Sequence, residues 1–149
     1  MSYTYHISGK LTDLANVTDF MKKCIVKMFP DATDNSEKIT RIAKEYEEFN
    51  NNSTIEWIII KLNNEIIATV FHLEGRSAKR LCHMMADSND SRQVMVKYIS
   101  ENIKNFYTYI HKTNKLKDFY VSLGMVAETE FEPEHDRDPK DGWIKLVKN

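Results

Sequence analysis

The stretch NKLKDFYVSLGMVAETEF, residues 114–131, carries the strongest structural signal in the chain. Its apolar residues recur at spacings of three and four, which predicts a short amphipathic helix. The residues at this spacing are Leu116, Phe119, Tyr120 and Leu123. Gly124 follows at once, at a position where glycine commonly ends a helix in the left-handed conformation. The stretch is therefore predicted to be a helix over residues 115–123 that runs directly into a strand over residues 125–132.

In the rest of the chain, the helical spacing of three and four and the alternation typical of strands together predict the order β-α-α-β-β-β-α-β-α-β-β. We predict further strands over residues 3–8, 55–62, 65–73, 78–86, 106–111 and 143–147. We predict further helices from Thr12 or Asp13 to Pro30, from about Ser36 to Phe49, and from the turn 87–90 to Ile103. Asn63-Asn64 predicts a tight hairpin. Hairpins in the first half and helical crossovers in the second predict an α/β fold with a mixed, mostly antiparallel sheet and helices on both faces.

Length and charge limit the possible classes of protein. With 149 residues and a mass of 17.5 kDa, we expect one domain over residues 1–149. The formal net charge of −1 gives no general attraction to nucleic acid or an anionic membrane, and we expect neither as a partner. We interpret the clustered cations as a solvated rim and helix face. These cations are Arg76, Lys79, Arg80, Arg92 and Lys97.

The cysteines and the apolar runs predict a cytoplasmic protein. Cys24 and Cys82 lie far apart in apolar segments without metal-ligand spacing, so we expect reduced, buried thiols. The sequence has no apolar run long enough to cross a bilayer and no signal peptide at its start. No His, Cys or carboxylate spacing predicts a metal site, and His6, His111 and His135 have no predicted partner.

The element order and the segment TNKLKDFYVSLGMVAE, residues 113–128, resemble the GNAT superfamily of N-acetyltransferases. In that family a helix with an aromatic pair ends in Leu-Gly-Phe and enters the next strand. The resemblance implies the acyl-CoA N-acyltransferase fold and transfer of an acetyl group from acetyl-CoA to an amine. It implies that Tyr120 protonates the departing thiolate of coenzyme A, a task that suits a neutral phenol. Asn114 resembles the asparagine that holds the pantetheine arm, and as a helix N-cap it needs no cofactor.

The family binds the cofactor's pyrophosphate on a glycine-rich turn before a helix, and here that turn is DSNDSRQ, residues 87–93. No glycine lies between Gly75 and Gly124. The resemblance implies that Asn89 and Ser91 present main-chain amides to the pyrophosphate and that Arg92 meets a phosphate. It also implies that the main chain of residues 84–86, which includes Met85 and Ala86, polarises the thioester carbonyl.

The reaction also needs a base to take a proton from the amine. The family commonly places it on the central strands, where His83 and His72 are the candidates. Alternation over residues 81–86 predicts Leu81, His83 and Met85 on one face of the strand and the residues between them on the other. Which face meets a cleft stays open.

Two other classes of function stay open. The missing glycines allow a catalytically inactive GNAT-like interaction module, with a partner surface at Met84, Met85 and Tyr107. The turn also resembles the Asn-x-Glu-Ser-Arg stretch of phage nucleobase-modifying relatives through Asn89, Ser91 and Arg92.

The acceptor amine stays equally open: a polyamine, an aminoglycoside, a protein amine or a small metabolite. The acidic segment EFEPEHDRD, residues 130–138, favours a cationic acceptor. Dimers are common in the family, so a homodimer is possible.

Overall fold

The computed structural model describes residues 3–52, 55–75, 78–134 and 137–148. Arg76 and His135 lie outside these residues. The strands are β1 (Tyr3–Ser8), β2 (Glu56–Leu62), β3 (Glu65–Glu74), β4 (Lys79–Ala86), β5 (Phe106–His111), β6 (Val126–Glu128) and β7 (Trp143–Lys148). The helices are α1 (Leu14–Met28), α2 (Asn35–Asn50), α3 (Asn89–Asn102) and α4 (Lys117–Ser122), with a 3-10 turn at Pro139–Asp141.

The described strands form one mixed sheet in the order β1-β2-β3-β4-β5-β7-β6. Strands β1 to β4 are antiparallel neighbours, and β5, β7 and β6 are antiparallel neighbours as well. The two halves meet where β4 and β5 pair in parallel. The predicted mixed, mostly antiparallel sheet with flanking helices is confirmed.

Each face of the sheet has its own apolar core. Helices α1 and α2 cover one face, where Met21, Tyr46, Trp57 and Phe71 are fully buried. Helices α3 and α4 cover the other face through residues that include Met95, Ile99 and Tyr120. The amphipathic spacing of the helices explains this arrangement, because each apolar stripe faces the sheet.

Two turns that were predicted from residue type have the expected geometry. Asn63 and Asn64 have φ angles of 51° and 71°, as a two-residue hairpin with two left-handed residues requires. Gly124 ends α4 with a φ of 96°. The amide of Gly124 donates to Val121, and that of Met125 donates to Tyr120, so the helix closes with a Schellman motif.

The last predicted strand before the C-terminal one is shorter than expected. It was predicted over residues 125–132, but β6 stops at Glu128. The chain then leaves the sheet edge and carries the Glu134 carboxylate over β5, where it accepts hydrogen bonds from Tyr107 and Tyr109. Beyond the end of β6 the chain is thus held by two tyrosine hydroxyls that donate to a buried carboxylate.

Two predictions about exposure were wrong. Arg80 and Arg92 are buried and do not belong to a solvated rim, whereas Lys97 is exposed and Lys79 pairs with Glu74 at 2.5 Å. The partner surface proposed for an interaction module also fails for two of its three residues. Met85 and Tyr107 are buried in the sheet, and only Met84 is half-buried.

The described residues give two further negative findings. No helix among them has both the length and the apolar character that crossing a membrane requires. They also contain no group of three or more His, Cys, Asp or Glu side chains that could hold a metal ion.

Gly75 lies where β3 turns toward β4, against the buried Tyr107. A Cβ atom at this position would lie 2.0 Å from the Tyr107 hydroxyl and 2.8 Å from the Ala78 carbonyl. We expect Gly75→Ala to lower the free energy of unfolding by about 1–3 kcal/mol, the usual cost of overpacking, in urea titration. Gly9→Ala is the matched control, because nothing lies within 4 Å of its Cβ position. Equal stability of the two variants would contradict the contact.

Candidate active site

The site lies where β4 and β5 separate. The two strands pair only at Lys79 with Phe106 and at Arg80 with Tyr107. At the next position the Thr108 hydroxyl donates to the Leu81 carbonyl at 2.9 Å. Beyond that point no pairing joins the described residues of the strands, so the β5 side of residues 82–86 lacks a strand partner. A cleft of about 560 Å³ occupies this gap.

A β-bulge in β4 accompanies this separation. The register between β3 and β4 shifts between Thr69 and Phe71, and His83 has a φ of 53° although it is not a glycine. Such a conformation is strained, and strained residues cluster at functional sites. The bulge also breaks the predicted alternation. Leu81 packs in the α3 core, whereas Met85 packs in the α1–α2 core, the side on which His83 also lies, so the prediction that all three share a face was wrong for Leu81.

The bulge directs His83 toward helix α2. Its Nε2 atom bonds the Glu45 carboxylate, and its ring lies 5.7 Å from the Tyr46 ring and 5.8 Å from the Phe71 ring. The hydrogen bond to His83 holds the pKa of Glu45 below its usual value, and the charges of Arg137 and Arg41 add to this effect. Because an ionised carboxylate only accepts, Nε2 carries the hydrogen and Nδ1 is left as the proton acceptor.

Tyr120 lines the same cleft from helix α4. Its side chain is 4% exposed. Burial raises its pKa, and the neighbouring Arg92 opposes that shift without cancelling it. The phenol therefore stays protonated at neutral pH, as a proton donor requires.

A second cavity of about 480 Å³ adjoins the cleft. Met28, Phe29, Thr113, Asn114 and Leu116 line both cavities. The Asn114 Oδ1 atom accepts a hydrogen bond from the Leu116 amide at 2.9 Å, which fixes the turn that borders both spaces.

Arg92 forms part of the wall of this second cavity. Its guanidinium donates to Asn89 Oδ1 at 2.7 Å and to the Ala86 carbonyl at 3.3 Å, and the residue is 4% exposed. Its Nε atom is buried with no partner. Lys27 and Lys115 line the same cavity. Three cations and an unsatisfied buried donor fit a polyanion such as coenzyme A.

Two carboxylates, Asp31 and Asp87, also line the second cavity. Asp87 accepts from the Ser91 hydroxyl, and Ser88 caps α3 by accepting from the Ser91 amide at 3.1 Å. Lys27 donates to the Asp87 carbonyl. The side chain of Ser91 is thus held inside the turn, while the first amides of α3, at Asn89 and Asp90, have no acceptor among the described residues.

The structure brings most of the predicted site residues together. The first cleft is lined by His83, Met85, Asn114 and Tyr120, and the second cavity by Ala86, Asn89, Arg92 and Asn114. Ser91 lines neither cavity. His72, the other candidate base, is buried away from both, and burial lowers its pKa.

Sequence analysis did not identify Glu45. It lies three residues after Ile42 and four before Phe49, which places a carboxylate on the apolar side of α2. That position was the available signal. The acidic segment 130–138 presents few of its carboxylates to the cleft: Glu134 is buried, and among the described residues of the segment it is the cation Arg137 that lines the cleft.

Comparison with known proteins identifies the fold. No protein-family model matches the chain, and no curated protein sequence matches it. Among solved structures, the chain is similar to the PaiA N-acetyltransferase of Thermoplasma acidophilum in complex with coenzyme A, with 12% identity, 99% of each chain covered and a TM-score of 0.65. It is also similar to a probable acetyltransferase of Staphylococcus epidermidis, with 13% identity, 99% and 98% coverage and a TM-score of 0.68.

A third similar structure is the aminoglycoside 6'-N-acetyltransferase of Enterococcus faecium, with 12% identity, 96% of each chain covered and a TM-score of 0.60. At these identities the likeness shows the fold alone. The chain has the acyl-CoA N-acyltransferase fold, as the sequence predicted.

The depressed pKa of Glu45 predicts a pH-dependent contribution to stability. Because its folded pKa lies below the unfolded one, the stabilisation is present above the unfolded pKa and is lost as the pH falls through the folded pKa. We expect Glu45→Gln to cost about 1–2 kcal/mol at pH 7, as for a hydrogen bond to a charged group, and less at acidic pH. Urea unfolding across acidic and neutral pH measures the difference.

Glu48→Gln is the matched control, because Glu48 is an exposed carboxylate on the same helix. A difference between Glu45→Gln and the native protein that stays constant as the pH falls would contradict the bond between His83 and Glu45.

Proposed function

We propose that this protein transfers an acetyl group from acetyl-CoA to an amine. The observation that carries the proposal is the open gap between β4 and β5, with a histidine–carboxylate pair on one side and a buried phenol on the other. Both groups line one cleft, and that cleft continues into a cavity with three cations. The fold shared with known acetyltransferases supports the same conclusion.

The two cavities divide the binding task. Arg92, Lys27 and Lys115 would hold the phosphates of acetyl-CoA, and Asn114 would position the arm that passes from the second cavity into the cleft. When bound, acetyl-CoA supplies an activated acyl group as a thioester. The unpaired main chain at residues 84–86 borders the gap and supplies candidate donors for the acyl carbonyl.

Two side chains of the cleft would then transfer protons, one as acceptor and one as donor. His83 takes a proton from the acceptor amine at Nδ1, while Glu45 fixes the ring and stabilises the imidazolium that forms. Tyr120 gives its hydroxyl proton to the leaving sulfur. Each residue acts at a different atom of the reaction, which explains why they line the cleft from different elements.

The proposal includes the cytoplasmic location expected from the sequence. Cys24 and Cys82 are free thiols, and burial raises the pKa of each to about 11, so both stay protonated and inert. Free thiols of this kind suit a reducing compartment.

Calorimetric titration with acetyl-CoA and with coenzyme A at low salt is the first test. We expect dissociation constants on the order of micromolar, because Arg92 and the two lysines offset the carboxylates at the turn. Arg92→Met should weaken binding of both ligands by about tenfold or more, the loss expected for a charge-assisted hydrogen bond. Lys97→Met, which removes an exposed charge on the same helix, is the control. No heat of binding at millimolar cofactor would leave the interaction module as the better function.

Tyr120→Phe separates chemistry from binding. The variant keeps the ring in the core and removes only the proton donor, so we expect kcat to fall about a hundredfold, within the range for general acid catalysis, with the affinity for coenzyme A unchanged. Release of coenzyme A during amine acetylation measures the rate. Tyr98→Phe, on helix α3, is the control and should keep the native kcat. An unchanged rate in Tyr120→Phe would remove the role assigned to this residue.

A further inference from the structure

We propose that the acceptor is an anionic amine, a small molecule that carries a carboxylate or phosphate besides its amino group, and that Arg80 binds this anion beside His83. The inference rests on the acetyl transfer proposed above. It replaces the cationic acceptor that the acidic segment 130–138 favours.

Arg80 is a buried cation without an anion. The residue is 8% exposed, and the described residues give its guanidinium neither an ion pair within 4.0 Å nor a hydrogen bond. Its charge instead lies over the Tyr109 ring, 5.2 Å from the ring centroid. Removing a charge from water costs several kcal/mol unless a partner compensates it, and a single cation–π contact offsets only part of that. A ligand anion in the cleft would complete the compensation.

The carboxylate that shares Tyr109 with Arg80 is already engaged. Glu134 accepts from the Tyr107 hydroxyl at 2.6 and 2.9 Å and from the Tyr109 hydroxyl at 2.8 Å. It is 6% exposed and does not line the cleft. Arg80 does line the cleft, the space that His83 also lines and in which an acceptor would bind.

The other charges that line the cleft also favour an anionic acceptor. Its lining contains four cations, Lys38, Arg41, Arg80 and Arg137, and two carboxylates, Glu45 and Glu48. Glu45 accepts a hydrogen bond from His83 and keeps its negative charge beside the histidine. Arg137 lies 4.2 Å from the centroid of the Trp143 ring, and Lys38 pairs with Asp34 at 3.4 Å. Among the described residues the cations of the lining still outnumber its carboxylates, which favours an anion over a polyamine.

The spacing of Arg80 and His83 limits the size of the acceptor. They lie three residues apart on β4, at most about 10 Å along the strand, and the bulge at His83 and the length of the arginine side chain both shorten that separation. A guanidinium binds a carboxylate or phosphate through two parallel hydrogen bonds. The cleft thus fits an amine with its anion a few bonds away, as in an amino acid.

Matched acceptor pairs test the charge requirement at constant ionic strength. We compare β-alanine with β-alaninamide and phosphoethanolamine with ethanolamine, with spermidine as the cationic probe. We expect acetylation of the anionic member of at least one pair with kcat/KM about tenfold or more above its neutral partner, and no activity with spermidine. The carboxylate and phosphate arms distinguish the two sources of the anion. Equal or faster reaction of the neutral or cationic amines would overturn the proposal.

Arg80→Met tests the residue itself. Methionine keeps the length of the stem and removes the charge, so KM for the preferred anionic amine should rise about tenfold to a hundredfold, with KM for acetyl-CoA unchanged. The melting temperature should stay the same or rise, because an unpaired buried charge is lost. Lys104→Met is the control for net charge. An unchanged KM for the anionic amine would overturn the assignment to Arg80.

Binding of an anionic ligand can be measured without catalysis, so it tests this inference separately from the proposed function. Thermal-shift titrations with N-acetyl-β-alanine and with its amide need no catalysis. Stabilisation of the native protein by the acid alone, lost in Arg80→Met, supports the anion site even if acetyl-CoA fails to bind. If acetyl-CoA binds, the acid and the amide behave alike, and the anionic and neutral members of both acceptor pairs react equally, the proposed function stands and the anionic acceptor is wrong.

Discussion

The β-bulge at His83 is the constraint on which the site depends. A left-handed residue with a side chain costs roughly 1–3 kcal/mol and persists only where its surroundings impose it. Here Tyr46 and Phe71 pack around the ring, and Glu45 bonds it from α2. Three features coincide at this bulge: the gap between β4 and β5, a main chain without a strand partner, and a histidine that lines the cleft. A regular β4 would close the gap and return His83 to the alternation of the strand.

The order of elements was predictable because its signals are local. The helical spacing before Gly124 and the Asn63-Asn64 turn act within a few residues, and both have the expected backbone geometry. The bulge was not predictable, since no glycine marks the left-handed residue. The bond between Glu45 and His83 joins residues 38 apart in sequence, and only the packing of α2 on the sheet brings them together. Local patterns therefore selected Tyr120 and His83, which line one cleft, but not the carboxylate that bonds the histidine.

The turn before α3 shows how a chain without glycines at this position can still leave a cavity lined by cations. Its side chains satisfy one another: Ser88 caps the helix, and Ser91 bonds Asp87. Asp87 also places a negative charge near the positive end of the helix dipole, which stabilises the helix without a ligand. The same charge would repel a pyrophosphate, and Arg92, held by Asn89 and Ala86, provides the opposing charge. The turn thus caps helix α3 with its own side chains, and Arg92 provides a positive charge beside the cavity.

The acidic segment 130–138 shows why composition misleads about a site. Its carboxylates outnumber its cations in the sequence, yet burial decides which charges a ligand meets. Glu134 accepts hydrogen bonds from two tyrosine hydroxyls and does not line the cleft. Arg137 lines the cleft and lies over the Trp143 ring. A buried carboxylate that accepts hydrogen bonds from two hydroxyls has part of its charge compensated before any ligand arrives. Arg80 on the neighbouring strand has neither an ion pair nor a hydrogen bond among the described residues, so its charge contributes more to the field in the cleft than the compensated charge of Glu134 does.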